Sequence, residues 1–183
     1  MILGILASSG AGGAATAYES IATLTGTGSS GTITFSSIPS TYTHLQVRGI
    51  PQAASGGFGG MKLRINSDTA NNYSIHQLLG DGATASATGY ASTTYMWAGI
   101  NSSTAAGVGI PVVIIDILDY ASTAKNKTVR SFSGVDNNGS GQLKLNSGVW
   151  LSTSAISSLT FTNEDGVNWT TSTTFALYGI KAA

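Results

Sequence analysis

The chain has no cysteine, which excludes a disulfide framework, a thiolate zinc centre and a cysteine nucleophile, so packing alone must hold the fold. Charge is scarce: eight Lys plus Arg and eight Asp plus Glu make 9% of the 183 residues, against roughly 25% in an ordinary soluble domain. The two signs cancel. That removes the broad positive field on which non-specific nucleic-acid binding relies, and no nucleic-acid partner is expected. Long apolar runs are missing too. The longest, Ile110-Pro111-Val112-Val113-Ile114-Ile115, is broken at Asp116, far short of the roughly 18 residues of a membrane-spanning helix, and no membrane segment is expected. Helix formers in helical register are equally rare, so at most one short helix is expected, over residues 20–23 or 153–157.

What the chain has instead is 24 glycines and a Ser and Thr content of about a quarter. From residue 17 onward, short runs of Val, Ile, Thr and aromatics alternate with breaks of Gly, Ser, Asn and Asp, the punctuation of strands and turns. Strands are expected at 18–25, 32–38, 44–50, 61–66, 73–79, 93–100, 111–120, 127–135, 142–145, 156–162 and 174–181. Period-two alternation in Thr32-Ile33-Thr34-Phe35, Leu45-Gln46-Val47-Arg48, Lys62-Leu63-Arg64-Ile65, Leu143-Lys144-Leu145 and Leu159-Thr160-Phe161-Thr162 predicts one wet face and one packed face on each. The more uniformly apolar stretch from Val112 to Leu118 predicts a central strand covered on both sides. Gly80-Asp81-Gly82, Asp136-Asn137-Asn138-Gly139 and Asp165-Gly166 supply turns, the last read as a hairpin turn. The fold class is therefore all-β: an antiparallel, jelly-roll-like β-sandwich of about eleven strands over residues 17–183.

Residues 1–16 stand apart. Residues 8–16 are almost entirely Ser, Gly and Ala, the composition of a flexible linker. Ahead of them Met1, Ile2, Leu3, Ile5 and Leu6 form a short apolar group with no basic region before it, unlike a signal peptide. It reads either as an arm whose apolar side chains another surface covers or as an extra edge strand.

Candidate chemistry was sought residue by residue. His44 and His76 are the only imidazoles, each within an expected strand and without the neighbours a metal site needs. No Ser stands in a Gly-x-Ser-x-Gly elbow. Asp116 and Asp119, three residues apart, fall on opposite faces of an extended strand unless it ends or bulges between them, so they do not read as the paired acids of glycoside cleavage. Glu164 and Asp165 read as turn charges. The segment Asp136 to Gly141 offers oxygen ligands for calcium but lacks the bidentate Glu of an EF-hand loop, and reads as an Asx-Gly turn. Gly56-Gly57-Phe58-Gly59-Gly60 precedes a strand, not a helix, and reads as a flexible loop. No cofactor and no catalytic activity are expected. Among the rings, Trp97 and Trp150 read as core, while Trp169 and Tyr90 are the candidate exposed aromatics, able to stack on a sugar or anchor a protein contact.

The segment Tyr18-Glu19-Ser20-Ile21-Ala22-Thr23, with Phe35-Ser36-Ser37-Ile38-Pro39-Ser40-Thr41-Tyr42-Thr43-His44-Leu45-Gln46-Val47-Arg48, resembles small virion proteins of tailed bacteriophages. Ile115-Asp116-Ile117-Leu118-Asp119-Tyr120-Ala121, Gly148-Val149-Trp150-Leu151-Ser152-Thr153-Ser154-Ala155-Ile156 and Phe175-Ala176-Leu177-Tyr178-Gly179-Ile180 are similar to later strands of the same proteins. The resemblance implies a β-sandwich or jelly roll, commonly a homotrimer, on the phage particle. It would serve as a capsid decoration (cement) protein bound to the major capsid protein, or as part of a tail fibre that recognises host-surface glycan. The absence of an extended adaptor, heptad shaft or repeat favours decoration.

Overall fold

The computed structural model describes residues 17–103 and 109–181. Thirteen strands occur, with no helix among the described residues. One sheet holds β1 (Tyr18–Thr25), β3 (His44–Ile50), β6 (Tyr73–Gly80), β7 (Ala85–Thr93), β9 (Val112–Leu118), β10 (Lys127–Asp136), β11 (Gly141–Trp150) and β13 (Thr174–Ile180). The other holds β2 (Thr32–Phe35), β4 (Gln52–Ala53), β5 (Gly59–Ile65), β8 (Met96–Ser103) and β12 (Leu159–Asn163). Only β4 pairs parallel, with β8.

Across the large sheet the order is β1-β13-β3-β9-β10-β11-β6-β7, and across the small sheet β2-β12-β5-β8-β4. Within it, β1-β13-β3-β9 opposite β2-β12-β5-β8 trace the double Greek key of a jelly roll. The hairpins β6–β7 and β10–β11 are inserted into that scheme, and both extend the large sheet on the β9 side. β10 and β11 still lie against β8. β7 is the far edge, exposed at every position except its last.

The core follows from the alternation. Leu45, Val47, Ile115, Ile117, Phe175 and Leu177 of the large sheet meet Met61, Leu63, Ile65, Leu159 and Phe161 of the small sheet, all fully buried. Phe161 stacks on Phe175 at 5.0 Å and meets Phe35 edge-on at 6.3 Å. Each such side chain contributes about 1.5–3 kcal/mol by leaving water.

Several expectations need correction. Residues 20–23 belong to β1 and residues 153–157 are irregular, so neither is helical. β4 and β7 bring the strand count above eleven. β7 is Ala, Ser, Thr and Gly with one large residue, so it carries no apolar alternation. Its pairing follows from the turn before it, where the Asp81 carboxylate accepts from the backbone of Ala83 and Thr84 at 2.9 and 2.7 Å. Gly59 and Gly60 open β5 instead of lying in a loop. The turn at Asp165-Gly166 joins β12 to β13 in the opposite sheet and so is not a hairpin. The strand β9 is central, yet the described residues cover only one of its faces: Val113, Ile115 and Ile117 are buried while Val112, Ile114 and Leu118 are 42–58% exposed. The group Met1, Ile2, Leu3, Ile5 and Leu6 lies outside the described residues.

Candidate interaction surface

The polar candidates resolve into paired, structural roles. β9 ends at Leu118, and Asp119 follows with a left-handed φ of 49°. Asp116 and Asp119 consequently line one shallow depression with Lys125, Thr128 and Arg130, an arrangement strict alternation does not produce. Both carboxylates are already engaged. Asp116 accepts from Gln46 Nε2 at 2.8 Å and Arg130 Nη2 at 3.4 Å. Asp119 is ion-paired with Lys125, whose hydrogen bond and charge hold its carboxyl below the usual range. The His44 ring accepts from the Asp119 backbone N–H through Nδ1 at 3.0 Å, and His76 is exposed on β6. Among the described residues no group of three His, Cys, Asp or Glu could hold a metal ion. The Asp136–Gly141 segment forms the β10–β11 turn, where Asp136 Oδ1 accepts from Asn138 N at 2.8 Å and Asn137 N donates to Ser140 O at 2.7 Å.

The aromatics divide. Trp169, expected to be exposed, is fully buried. Its backbone is knitted to Ser30 O and Gly28 N and bridges to Ala53, which turns the indole inward, edge-on to Phe175 at 5.9 Å, while Asn168 and Thr170 take the more accessible positions. Trp150 is buried as expected, and its Nε1 donates to Asp68 Oδ2 at 2.7 Å. Tyr90 is 52% exposed on β7, its ring edge-on to half-buried Trp97 at 5.4 Å.

The informative surface is one that sequence alternation reads the wrong way round. In Leu143-Lys144-Leu145 the leucines were expected in the core, yet Leu143 and Leu145 are exposed and Lys144 is half-buried. The same holds for Ser131-Phe132-Ser133 on β10, where the serines are buried and the phenylalanine faces out. The inversion is held by hydrogen bonds on the inner side. Asn146 Nδ2 donates to Ser131 Oγ at 3.0 Å, Gln77 Nε2 to Asn146 Oδ1 at 2.8 Å, and Ile100 N to Ser133 Oγ at 3.2 Å. A one-residue slip would bring the leucines in and leave these groups without partners.

On the outer side, Ile114, Phe132, Leu145 and Leu78 stand directly opposite one another across β9, β10, β11 and β6, a row about 14 Å long at the usual strand spacing. Two residues along, Val112, Gly134, Leu143 and Gly80 form a second row. Here two glycines alternate with two apolar side chains, leaving an open hollow of about 630 Å³ walled by Ile110, Val112 and Leu143. On the other side of the apolar row lies a polar one of Gln46, Asp116, Arg130, Ser147 and His76. Seven half-exposed side chains, Ile50, Leu78, Val112, Ile114, Phe132, Leu143 and Leu145, leave on the order of 600 Å² of apolar surface, at the upper end for a soluble monomer. β7 adds an edge with no charge and no proline in nine residues, the protections that isolated edge strands usually carry.

The signal for this face was present in the leucine and phenylalanine alternation; the side on which it would lie was not. Comparison with known proteins adds no name: no family model, no curated protein and no solved structure matches the chain.

Proposed function

We propose that this chain is a structural protein of a bacteriophage particle, a capsid decoration (cement) protein that binds the major capsid protein lattice as a homotrimer and stabilises it without turnover. The observation that carries this reading is the outer face of the large sheet. Hydrogen bonds fix it outward, it bears apolar side chains where a solvated sheet bears polar ones, and it is large enough to be one side of a protein contact. The phage resemblance of the strand segments supplies the setting. Many weak contacts repeated over a lattice add up without any one being strong, and the apolar group at Met1 to Leu6 would add to them on a neighbouring subunit.

A second reading, a tail-fibre domain that recognises host-surface glycan, is favoured by exposed Tyr90 beside Trp97, although burial of Trp169 removes the other ring it would use. Labelling the protein on purified virions separates the two. Decoration places the label over the capsid shell in many copies. Label confined to the tail, with adsorption to host polysaccharide, supports the fibre reading, and absence from the particle overturns both.

A further inference from the structure

We infer that the outer face of the large sheet is the contact between copies of this chain, with the Phe132 ring of one copy seated in the hollow at Gly134 and Gly80 of the next. The inference rests on the proposal that the protein works by assembly, and it names the face and the partner.

Three observations select a second copy. The first is area: the apolar patch, on the order of 600 Å², approaches the roughly 800 Å² that each partner contributes to a stable interface. The second is shape. Phe132, 50% exposed, projects from β10 two residues from Gly134; the missing side chains of Gly134 and Gly80, on either side of Leu143, open the hollow. Glycine inside a strand marks a place where another chain approaches closely. Knob and hollow lie on the same face of the same sheet, so the surface is complementary to itself and closes about a two-fold axis, a contact distinct from the three-fold one of the proposed homotrimer. The third is charge. No ionisable side chain stands in either apolar row across β9, β10, β11 and β6, and the two carboxylates at the rim of the hollow, Asp81 and Asp136, already accept from the backbone N–H groups of Ala83, Thr84 and Asn138. The charges nearest the patch are mostly engaged at its border. Asp116 pairs with Arg130, and the Arg48 guanidinium lies over the Tyr178 and Tyr18 rings at 5.7 and 5.9 Å.

The position of this face in the fold points the same way. Four of its seven apolar side chains, Leu78, Phe132, Leu143 and Leu145, stand on the inserted hairpins, and Ile50, Val112 and Ile114 stand on β3 and β9 of the jelly roll. The inner sides of the hairpins join the common core through Tyr73, Ile75, Val129 and Trp150. Buried hydrogen bonds among Ser131, Asn146 and Gln77 hold the inserted strands in the register that turns Phe132, Leu145 and Leu78 outward.

Sedimentation of the full chain between 1 and 50 µM, on the order of cellular and in vitro working concentrations, tests this with Phe132→Glu and Gly134→Leu. The first removes the knob; the second fills the hollow at a site where an added Cβ meets only the flexible end of Leu143 at 3.2 Å. Far-UV circular dichroism and urea unfolding confirm that each variant is folded. The expected result is a closed oligomer for the unaltered chain and association at least about 30-fold weaker for both variants, as for loss of a hot-spot side chain. A monomeric unaltered chain overturns the inference, as do folded variants that assemble like it. If the unaltered chain is monomeric yet binds phage particles and Phe132→Glu does not, the face docks on a shell protein: the copy contact and the homotrimer fall, and the place on the virion stands. Oligomers broken by both variants in a protein absent from virions give the reverse outcome.

Discussion

The outward rows of the small sheet read Thr34, Thr160, Arg64 and Thr32, Thr162, Lys62 across β2, β12 and β5; those of the large sheet read Ile114, Phe132, Leu145, Leu78 and Val112, Gly134, Leu143, Gly80. Thr34 and Thr160 even share a hydroxyl–hydroxyl hydrogen bond at 3.1 Å. Both faces are outermost in one chain and both cover the same core. A sequence with this much Thr could have wetted the large sheet as it did the small, so composition alone does not account for the difference. Hydroxyls and two cations suit water. Leucine, isoleucine and phenylalanine with glycine hollows suit another protein surface.

The contrast is sharpest within one strand, at neighbouring residues. Ile115 is fully buried in the core and Ile114 is 42% exposed on the outer row. Ile115→Ala is expected to destabilise the folded chain by about 2–5 kcal/mol through lost burial and the cavity left behind. Ile114→Ala should cost less than about 0.5 kcal/mol in the isolated fold, as exposed positions do. Urea unfolding of both at a concentration low enough to hold the protein monomeric measures the difference. Equal costs would mean that Ile114 is packed within the single chain, and the outer face would lose its distinction.

Next in size is a buried polar group at the inner end of β6, the strand that carries Leu78 outward. The Tyr73 hydroxyl accepts from Ile65 N at 3.0 Å and donates toward Ile65 O and Asp68 O at 3.3 and 3.2 Å. Burial pushes its pKa up to about 12. The unfolded phenol ionises near 10, so the folded state holds its proton longer. Stability from this group is intact below about pH 10 and falls as pH rises toward 12, by up to about 1.4 kcal/mol per unit. Tyr73→Phe should cost about 1–3 kcal/mol at neutral pH, because Ile65 N–H loses its acceptor, and should shrink the alkaline loss. Unfolding at pH 7 and pH 11 tests both. An undiminished alkaline loss in Tyr73→Phe would assign it to the other buried tyrosines.

Sequence patterning carried much of the fold. The bounds of β1 are those read from the chain, and the alternation in β2, β5 and β12 places Ile33, Phe35, Leu63, Ile65, Leu159 and Phe161 inward as observed. It failed where burial is decided by something other than hydrophobicity. β7 has too few large side chains to show a period, and its pairing comes from the turn at Asp81. In β11 the alternation of Leu143-Lys144-Leu145 identified two faces, but hydrogen bonds through Asn146, whose partners Ser131 and Gln77 are remote in sequence, hold the polar one inward. Trp169 was misplaced because its polar sequence neighbours say nothing of the bridge to Ala53. The exposed position of Tyr90 was legible; the surface around Phe132 was not, since sequence alone cannot show which side of a strand its remote hydrogen-bond partners turn inward.

The smallest expected effect asks whether apolar content alone makes a face adhesive. Thr34→Ile with Thr160→Ile places a cross-strand apolar pair on the outer face of the small sheet and removes only the exposed hydroxyl contact between them. Fold stability should change by less than about 0.5 kcal/mol, because β-branched pairs suit a sheet and neither group is deeply buried. The two added side chains fall below the few hundred Å² at which apolar patches mark interaction sites. Sedimentation should therefore return the stoichiometry of the unaltered chain. A higher-order species in this variant would show that any apolar pair on this charge-poor scaffold causes association, and the knob and hollow at Phe132 and Gly134 would no longer be needed to explain assembly.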